Sequence, residues 1–165
     1  MGDGRDTNAG RLGAPGAPAT PDDEEPLTEE LLARLAVAAS PEAYLESADL
    51  PDRTLSDYLF RLLDQAGMSR ADVARATGMP ANYLYQIFQG TKRPSRDYVL
   101  RIALALGCDL RHAQRLLRLA DVGTLWPKDR RDAVVIYCLE HGLGPQATDE
   151  ELWRLGEPTL APREG

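Results

Sequence analysis

Glycines at four positions divide the middle of this chain into short segments of helical periodicity. Gly67, Gly78, Gly90 and Gly107 each follow a stretch in which apolar residues recur every three or four positions. Glycine adopts the left-handed backbone conformation without a steric penalty, so it can end a helix and let the chain turn sharply. The pattern therefore restricts this part of the chain to short helices joined by brief connections.

Residues that favour helix starts lie at the beginning of these segments. Thr54, Ser69 and Ser95 can each accept a hydrogen bond from a backbone N–H of the first turn. Pro80 suits a first turn because its missing N–H is not needed there. We expect five helices here, the third at residues 80–89. Five consecutive short helices predict a compact all-α domain.

The flanks of this domain differ from it in composition. The predicted organisation is a disordered acidic tail rich in Gly, Pro and Ala at 1–26, a short helical segment at 27–53, the all-α domain at 54–120, a C-terminal helical extension at 121–158 and a disordered tail at 159–165. The apolar run at 133–139 fits either a buried strand or a buried helix. We favour a helix, because the sequence offers no second strand to pair with it and Pro127 precedes it.

Charge is unevenly distributed along the chain. The formal net charge is −7, yet residues 55–120 carry ten Lys or Arg against five Asp. Both flanking segments are acidic, the N-terminal one more strongly. A basic middle between acidic flanks is compatible with nucleic-acid binding by the middle alone. It equally permits the acidic tail to fold back and weaken that binding.

The cysteine and histidine pattern indicates neither a metal site nor a catalytic group. Cys108 and Cys138 lie far apart without a CxxC pair, and the remaining candidate ligands are His112 and His141. We expect two buried thiols, two exposed histidines, no metal, no cofactor and no catalysed reaction. No apolar run is long enough for a membrane span, and the N-terminus lacks the features of a signal peptide. The expected location is the cytoplasm, with no membrane partner.

An ordered set of residues crosses the all-α domain: Val73, Ala74, Gly78, Met79, Leu84, Ile87, Gly90, Pro94, Ser95, Ala103 and the triplet Ala105-Leu106-Gly107. In this order they resemble the Cro/C1-type helix-turn-helix family, also called the xenobiotic-response-element family, over residues 54 to about 117. The resemblance implies a five-helix lambda-repressor-like DNA-binding domain, here with additional N- and C-terminal helices. It also implies a bacterial transcriptional regulator that places its third helix in the major groove of double-stranded DNA.

The resemblance implies roles for particular side chains. Arg70 would anchor on a DNA phosphate, and the exposed residues of the third helix would face the groove. Asn and Gln side chains there can bond bidentately to adenine, whereas the loop after the helix would contact the DNA backbone. The residues expected to contact DNA are Arg70, Ala81, Asn82, Tyr85, Gln86, Gln89, Thr91, Lys92, Arg93 and Arg96.

The third helix departs from the usual pattern of this family, because it carries no Lys or Arg and includes Tyr83, Tyr85 and Phe88. We expect Tyr83 and Phe88 to pack inside the domain, but an uncharged aromatic face is also typical of a protein-binding surface. Two alternatives to a DNA-binding regulator follow: a helical adaptor that binds a protein partner through this helix, and an antitoxin-like regulator. A homodimer or partner interface is expected on the C-terminal extension at Val134, Val135, Tyr137 and Trp153.

Overall fold

The computed structural model describes residues 28–47 and 54–162, and within these ranges all the regular secondary structure is helical. The nine helices of the described ranges are α1 (Thr28–Val37), α2 (Pro41–Ser47), α3 (Leu55–Ala66), α4 (Arg70–Thr77), α5 (Ala81–Gln89), α6 (Arg96–Ala105), α7 (Leu110–Leu119), α8 (Arg130–Glu140) and α9 (Pro145–Arg154). The all-α prediction is confirmed. Helices α1 and α2 belong to one unit and α3 to α9 to another.

The smaller unit is a pair of short helices. The Arg34 guanidinium on α1 donates a hydrogen bond of 3.2 Å to the carbonyl oxygen of Ser47, at the end of α2. Tyr44 is the buried apolar side chain of α2. Helices therefore form where the sequence predicts the N-terminal helical segment. The predicted tail at 1–26 lies outside the described residues.

The helix boundaries of the larger unit follow from side-chain caps and glycines. Thr54, Ser69 and Ser95 each accept a hydrogen bond from a backbone N–H of the first turn of α3, α4 and α6. At Ser69 the bond is reciprocal, since the Asp72 carboxylate accepts from the Ser69 backbone N–H at 2.9 Å. Gly67, Gly78 and Gly90 follow α3, α4 and α5 with φ of +64°, +70° and +84°. These caps and glycine turns are as predicted, whereas Pro80, predicted within the third helix, lies at the N-cap of α5, one residue before it.

One hydrophobic core extends through α3 to α9. Its largest fully buried side chains include Tyr58 and Leu62 of α3, Phe88 of α5, Leu100 of α6 and Leu116 of α7. Each such side chain contributes about 1.5–3 kcal/mol through burial. Tyr83 is half-buried against Tyr98, with ring centroids 5.1 Å apart, so the expectation that Tyr83 and Phe88 pack internally is confirmed.

The apolar run at 133–139 is helical and lies within α8. Val135, Cys138 and Leu139 are fully buried and continue the core of the larger unit. The prediction that Val135 contributes to an interface is therefore wrong: the helical spacing turns it inward together with Cys138 and Leu139. Helix α9 then packs against α8, α6 and α4.

Ordered structure continues beyond the predicted end of the C-terminal extension. Leu160 is 3 % exposed and belongs to the core, and its backbone N–H donates to Asp149 Oδ1 at 2.6 Å. The predicted disordered tail at 159–165 is thus wrong for residues 159–162, because Leu160 has apolar surface to bury. Residues 163–165 lie outside the described ranges.

Two crossed ion pairs join α6 to α8. Arg96, the first residue of α6, forms a bidentate pair with Asp132, with N–O distances of 3.0 and 2.7 Å. The neighbouring Asp97 pairs with Arg131 at 3.0 and 3.1 Å. Burial opposes ionisation of the Asp132 carboxyl, but hydrogen bonds from Arg96 and from the Trp126 backbone N–H outweigh it and lower its pKa.

The cysteines and one histidine are buried. Cys108 and Cys138 are buried thiols in the core, as predicted, and burial raises the pKa of Cys138. His141 is exposed as expected, but the expectation for His112 is wrong. His112 is fully buried, and its Nδ1 lies 2.6 Å from Asp109 Oδ1, which also accepts from the His112 backbone N–H.

Among the described residues, no three or more His, Cys, Asp or Glu side chains cluster closely enough to hold a metal ion. No helix of the described ranges has the length and apolar character needed to cross a membrane.

Candidate nucleic-acid interface

A buried hydrogen-bond network fixes the turn between α4 and α5. The Thr77 hydroxyl donates to the carbonyl oxygen of Val73 at 2.7 Å and accepts from the backbone N–H of Met79 at 3.3 Å. The Arg101 guanidinium, from α6, donates to the carbonyl oxygen of Thr77 at 2.6 Å. Gly78 supplies the left-handed residue between α4 and α5. The angle between α4 and α5 is therefore set by buried contacts rather than by loop composition alone.

Helix α5 has a buried apolar face and an exposed polar one. Leu84, Ile87 and Phe88 are fully buried. The opposite face exposes Ala81, Asn82, Gln86 and Gln89, whereas Tyr85 is half-buried. Asn82 and Gln86 are four residues apart, so their amides are neighbours on one helix surface. These amides can donate and accept hydrogen bonds at the edge of a base.

Arg70 belongs to the first turn of α4, and its side chain contacts α5. Its guanidinium carbon is 4.7 Å from the centroid of the Tyr85 ring and 5.8 Å from that of Phe60. Both distances are within the range of a cation–π contact. The residue predicted to bind a phosphate therefore brings a positive charge to a helix that has none of its own.

The loop after α5 folds back on the end of that helix. The backbone N–H and the hydroxyl of Thr91 both donate to the carbonyl oxygen of Gln86, at 2.9 and 3.2 Å. Lys92 and Arg93 are exposed. Arg93 meets Asp121 at 3.5 Å, but both side chains are about 80 % exposed, so this pair contributes little stability.

The comparison with protein families agrees with this geometry. A family described as helix-turn-helix matches residues 59–112, about a third of the chain. The match is to a Cro/C1-type helix-turn-helix domain. A domain of this type suggests DNA binding. No curated protein and no solved structure matches the chain.

Within this helix-turn-helix domain, one predicted DNA contact is occupied by the protein itself. Besides its pair with Asp132, Arg96 donates hydrogen bonds to the carbonyl oxygens of Gly123 and Thr124, at 2.8 and 2.9 Å. The prediction that Arg96 contacts the DNA backbone is therefore wrong. Its donors are directed toward the C-terminal extension, and Asp132 neutralises its charge.

Two residues that contribute to this geometry are absent from the predicted site. Phe60 stands on the outer side of α3, and Arg101 interrupts an otherwise apolar stretch of α6. The signal for Arg101 was a lone charge among core residues, which requires a buried acceptor. Phe60 is a large aromatic residue that follows Leu59 and lies outside the apolar side of α3 that faces the core, which is the feature that could have indicated it.

The other three residues of the predicted partner interface lie outside the core. Tyr137 and Trp153 are 56 % and 61 % exposed, and Val134 is half-buried. An apolar groove of about 360 Å³ lies between α8 and α9, with Val134, Tyr137 and Arg154 in its lining.

Proposed function

We propose that this chain is a sequence-specific regulator of transcription that binds duplex DNA by inserting α5 into the major groove. The observation that supports this most is the composition of the exposed surface around α5. Amides of Asn82 and Gln86 occupy its centre, and cations flank it, Arg70 on one side and Lys92 and Arg93 in the following loop. Amides suit base edges, and cations suit phosphates.

In this proposal α5 contacts bases although it carries no charged side chain. Asn82 and Gln86 would bond to adenine, the base whose major-groove edge offers one donor and one acceptor. Arg70, Lys92 and Arg93 would contact phosphates and set the register of the helix in the groove. Such a regulator would work in the cytoplasm of a bacterial cell.

The burial of α5 favours this proposal over a protein adaptor. The adaptor alternative depended on an aromatic third helix, yet Phe88 is fully buried and Tyr83 packs against Tyr98. The side chains left exposed on α5 are mainly amides. A helix surface of uncharged amides with cations beside it is more complementary to a polyanion than to an apolar groove on a protein.

A homodimer would make this reading more selective. One helix-turn-helix domain contacts few base pairs, and two copies bound to half-sites about 34–36 Å apart would read twice as many. We propose that Tyr137, which lines the groove between α8 and α9, and the exposed Trp153 contribute to contacts between copies.

The test begins with selection of bound duplexes from a random pool, followed by fluorescence anisotropy on the selected site. If Arg70, Lys92 and Arg93 each neutralise one phosphate, log K should fall with log salt with a slope of about −2.7 per bound copy. The affinity should then fall about 40-fold between 50 and 200 mM salt. A symmetric selected site would support the dimer.

Substitutions separate base contacts from general binding. Asn82→Ala combined with Gln86→Ala should remove the preference for the selected site while residual salt-dependent binding remains. Gln146→Ala, an exposed amide on α9, is the matched control and should bind like the parent chain. No enrichment from the pool, or a flat salt dependence, would refute the proposed function.

A further inference from the structure

We propose that Phe60 and Tyr85 form an aromatic clamp that holds the Arg70 guanidinium in place for a DNA phosphate. Phe60, on α3, is then a positioning residue for DNA binding although it lies outside the helix pair α4 and α5. The inference rests on the proposed function and deepens it, because it assigns the positioning of the phosphate contact to three helices rather than two.

Three helices supply the parts of the clamp. Phe60 comes from the middle of α3, Arg70 is the first residue of α4, and Tyr85 is at the centre of α5. The Arg70 guanidinium carbon lies 4.7 Å from the Tyr85 ring centroid and 5.8 Å from the Phe60 ring centroid. Both rings are therefore close enough to attract the cation.

The Phe60 ring is itself held by the core. Its centroid is 5.3 Å from that of Phe88, with the ring planes at 74°, an edge-to-face contact. Phe88 is fully buried. Phe60 is 42 % exposed, so it connects a buried residue to the half-buried Arg70.

Arg70 differs from several other arginines of the larger unit. Arg75, on the same helix, forms an ion pair with Asp72, and Arg96 and Arg131 pair with carboxylates on another helix. Within the described ranges, Arg70 is paired with rings and has no carboxylate partner in reach of an ion pair. Stacking on rings leaves the N–H donors at the edge of a guanidinium free for a phosphate.

Holding the side chain in advance has a physical benefit. A free arginine loses much rotamer freedom when it binds a phosphate, and a side chain that is already ordered loses less. The clamp also places the charge beside Tyr85, on the helix that exposes Asn82 and Gln86. A phosphate contact at Arg70 would therefore fix the register of those amides in the groove.

The test is a double-mutant cycle on the selected duplex, with anisotropy as the readout. Phe60→Leu keeps apolar contact with Phe88 but removes the ring face, and should weaken binding about two- to fivefold, the range of one exposed cation–π contact. Its salt slope should not change, because no charge is lost. Arg70→Gln should reduce the slope by about 1.

Two further variants separate the clamp from simple packing. Phe60→Tyr keeps a ring and should restore the affinity of the parent chain. Phe60→Leu in the Arg70→Gln background should cause no further loss. A further loss as large as in the parent chain would overturn the clamp, as would an unchanged affinity for Phe60→Leu alone.

An NMR measurement tests the clamp without DNA. The Arg70 side-chain protons should show ring-current shifts in the free protein that decrease in Phe60→Leu and persist in Phe60→Tyr. Unchanged shifts in Phe60→Leu would overturn the clamp. If the shifts behave as expected and the parent chain binds no duplex, the proposed function fails instead, so the two failures are distinguishable.

Discussion

Replacement of Asp132 by Asn should destabilise the larger unit strongly. The Asp132 carboxylate accepts two hydrogen bonds from Arg96 and a third, of 2.9 Å, from the backbone N–H of Trp126. Arg96 in turn donates to two carbonyl oxygens of the segment between α7 and α8. The substitution removes the negative charge and leaves the guanidinium of Arg96 without its counter-ion in a largely enclosed position.

The magnitude follows from the burial of the pair. Removing one member of a fully buried ion pair costs about 3–5 kcal/mol. Here the Asp132 side chain is 9 % exposed and that of Arg96 28 %, so water solvates part of the remaining charge. We expect a loss of about 2–3 kcal/mol in the free energy of unfolding. For a folding unit of this size, that loss lowers Tm by about 8–12 °C.

The assay is urea and thermal unfolding followed by circular dichroism. Glu151→Gln is the matched control, since it also converts a paired carboxylate to an amide, but its partner Arg154 and Glu151 itself are 66 % and 37 % exposed. The control should lose no more than about 0.5 kcal/mol. An Asp132→Asn chain as stable as the Glu151→Gln chain would refute the reasoning, because the pair would then contribute nothing beyond a surface contact.

The remaining predictions concern pH, the turn and salt. The pKa of Asp132 is lowered in the folded protein, so its contribution to the free energy of unfolding is complete above the unfolded-chain value of about 3.9 and is lost as pH falls through the folded-state pKa. The stability difference between the parent chain and Asp132→Asn, measured by urea unfolding, should decrease over that pH range. A difference that stays constant would contradict this. Gly78→Ala should cost about 1–2 kcal/mol because φ is +70° there, whereas Gly144→Ala, at φ −81° with open space around the added Cβ, should cost about 0.5 kcal/mol in the same assay. Lys92→Gln with Arg93→Gln should make the salt slope of DNA binding shallower by about 2, and an unchanged slope would exclude both from phosphate contact.

The local signals in the sequence predicted the helices of the larger unit well. Caps at Thr54 and Ser69 and the glycine at 78 act within four residues of their own position, so the sequence alone predicts their effect. The buried and exposed sides of α5 follow equally from helical spacing. These features position the candidate interface, and the family comparison agrees with them.

The prediction for Arg96 fails because its side chain bonds to a distant segment. Arg96 and Asp132 are 36 positions apart, and nothing in the spacing of either residue indicates the other. The position of Arg96 in a loop therefore predicts a DNA contact. The prediction for Val135 fails for a different reason: a continuous apolar run has no polar positions to mark which side of the helix faces water. The prediction for Leu160 fails because a single leucine after a proline carries no periodicity.

The packing of the C-terminal helices has a consequence for how the chain unfolds. The family match ends at residue 112, yet α8 and α9 share one core with α3 to α7, and α9 packs directly on α4. A chain that ended after α7 would expose the apolar side of α6 and leave Arg96 and Asp97 without their partners. We therefore expect residues 54–162 to unfold as one cooperative unit, with equal opening free energies for the slowest-exchanging amides of α6 and α8. The smallest piece of this protein that folds independently is then about twice as long as its family match.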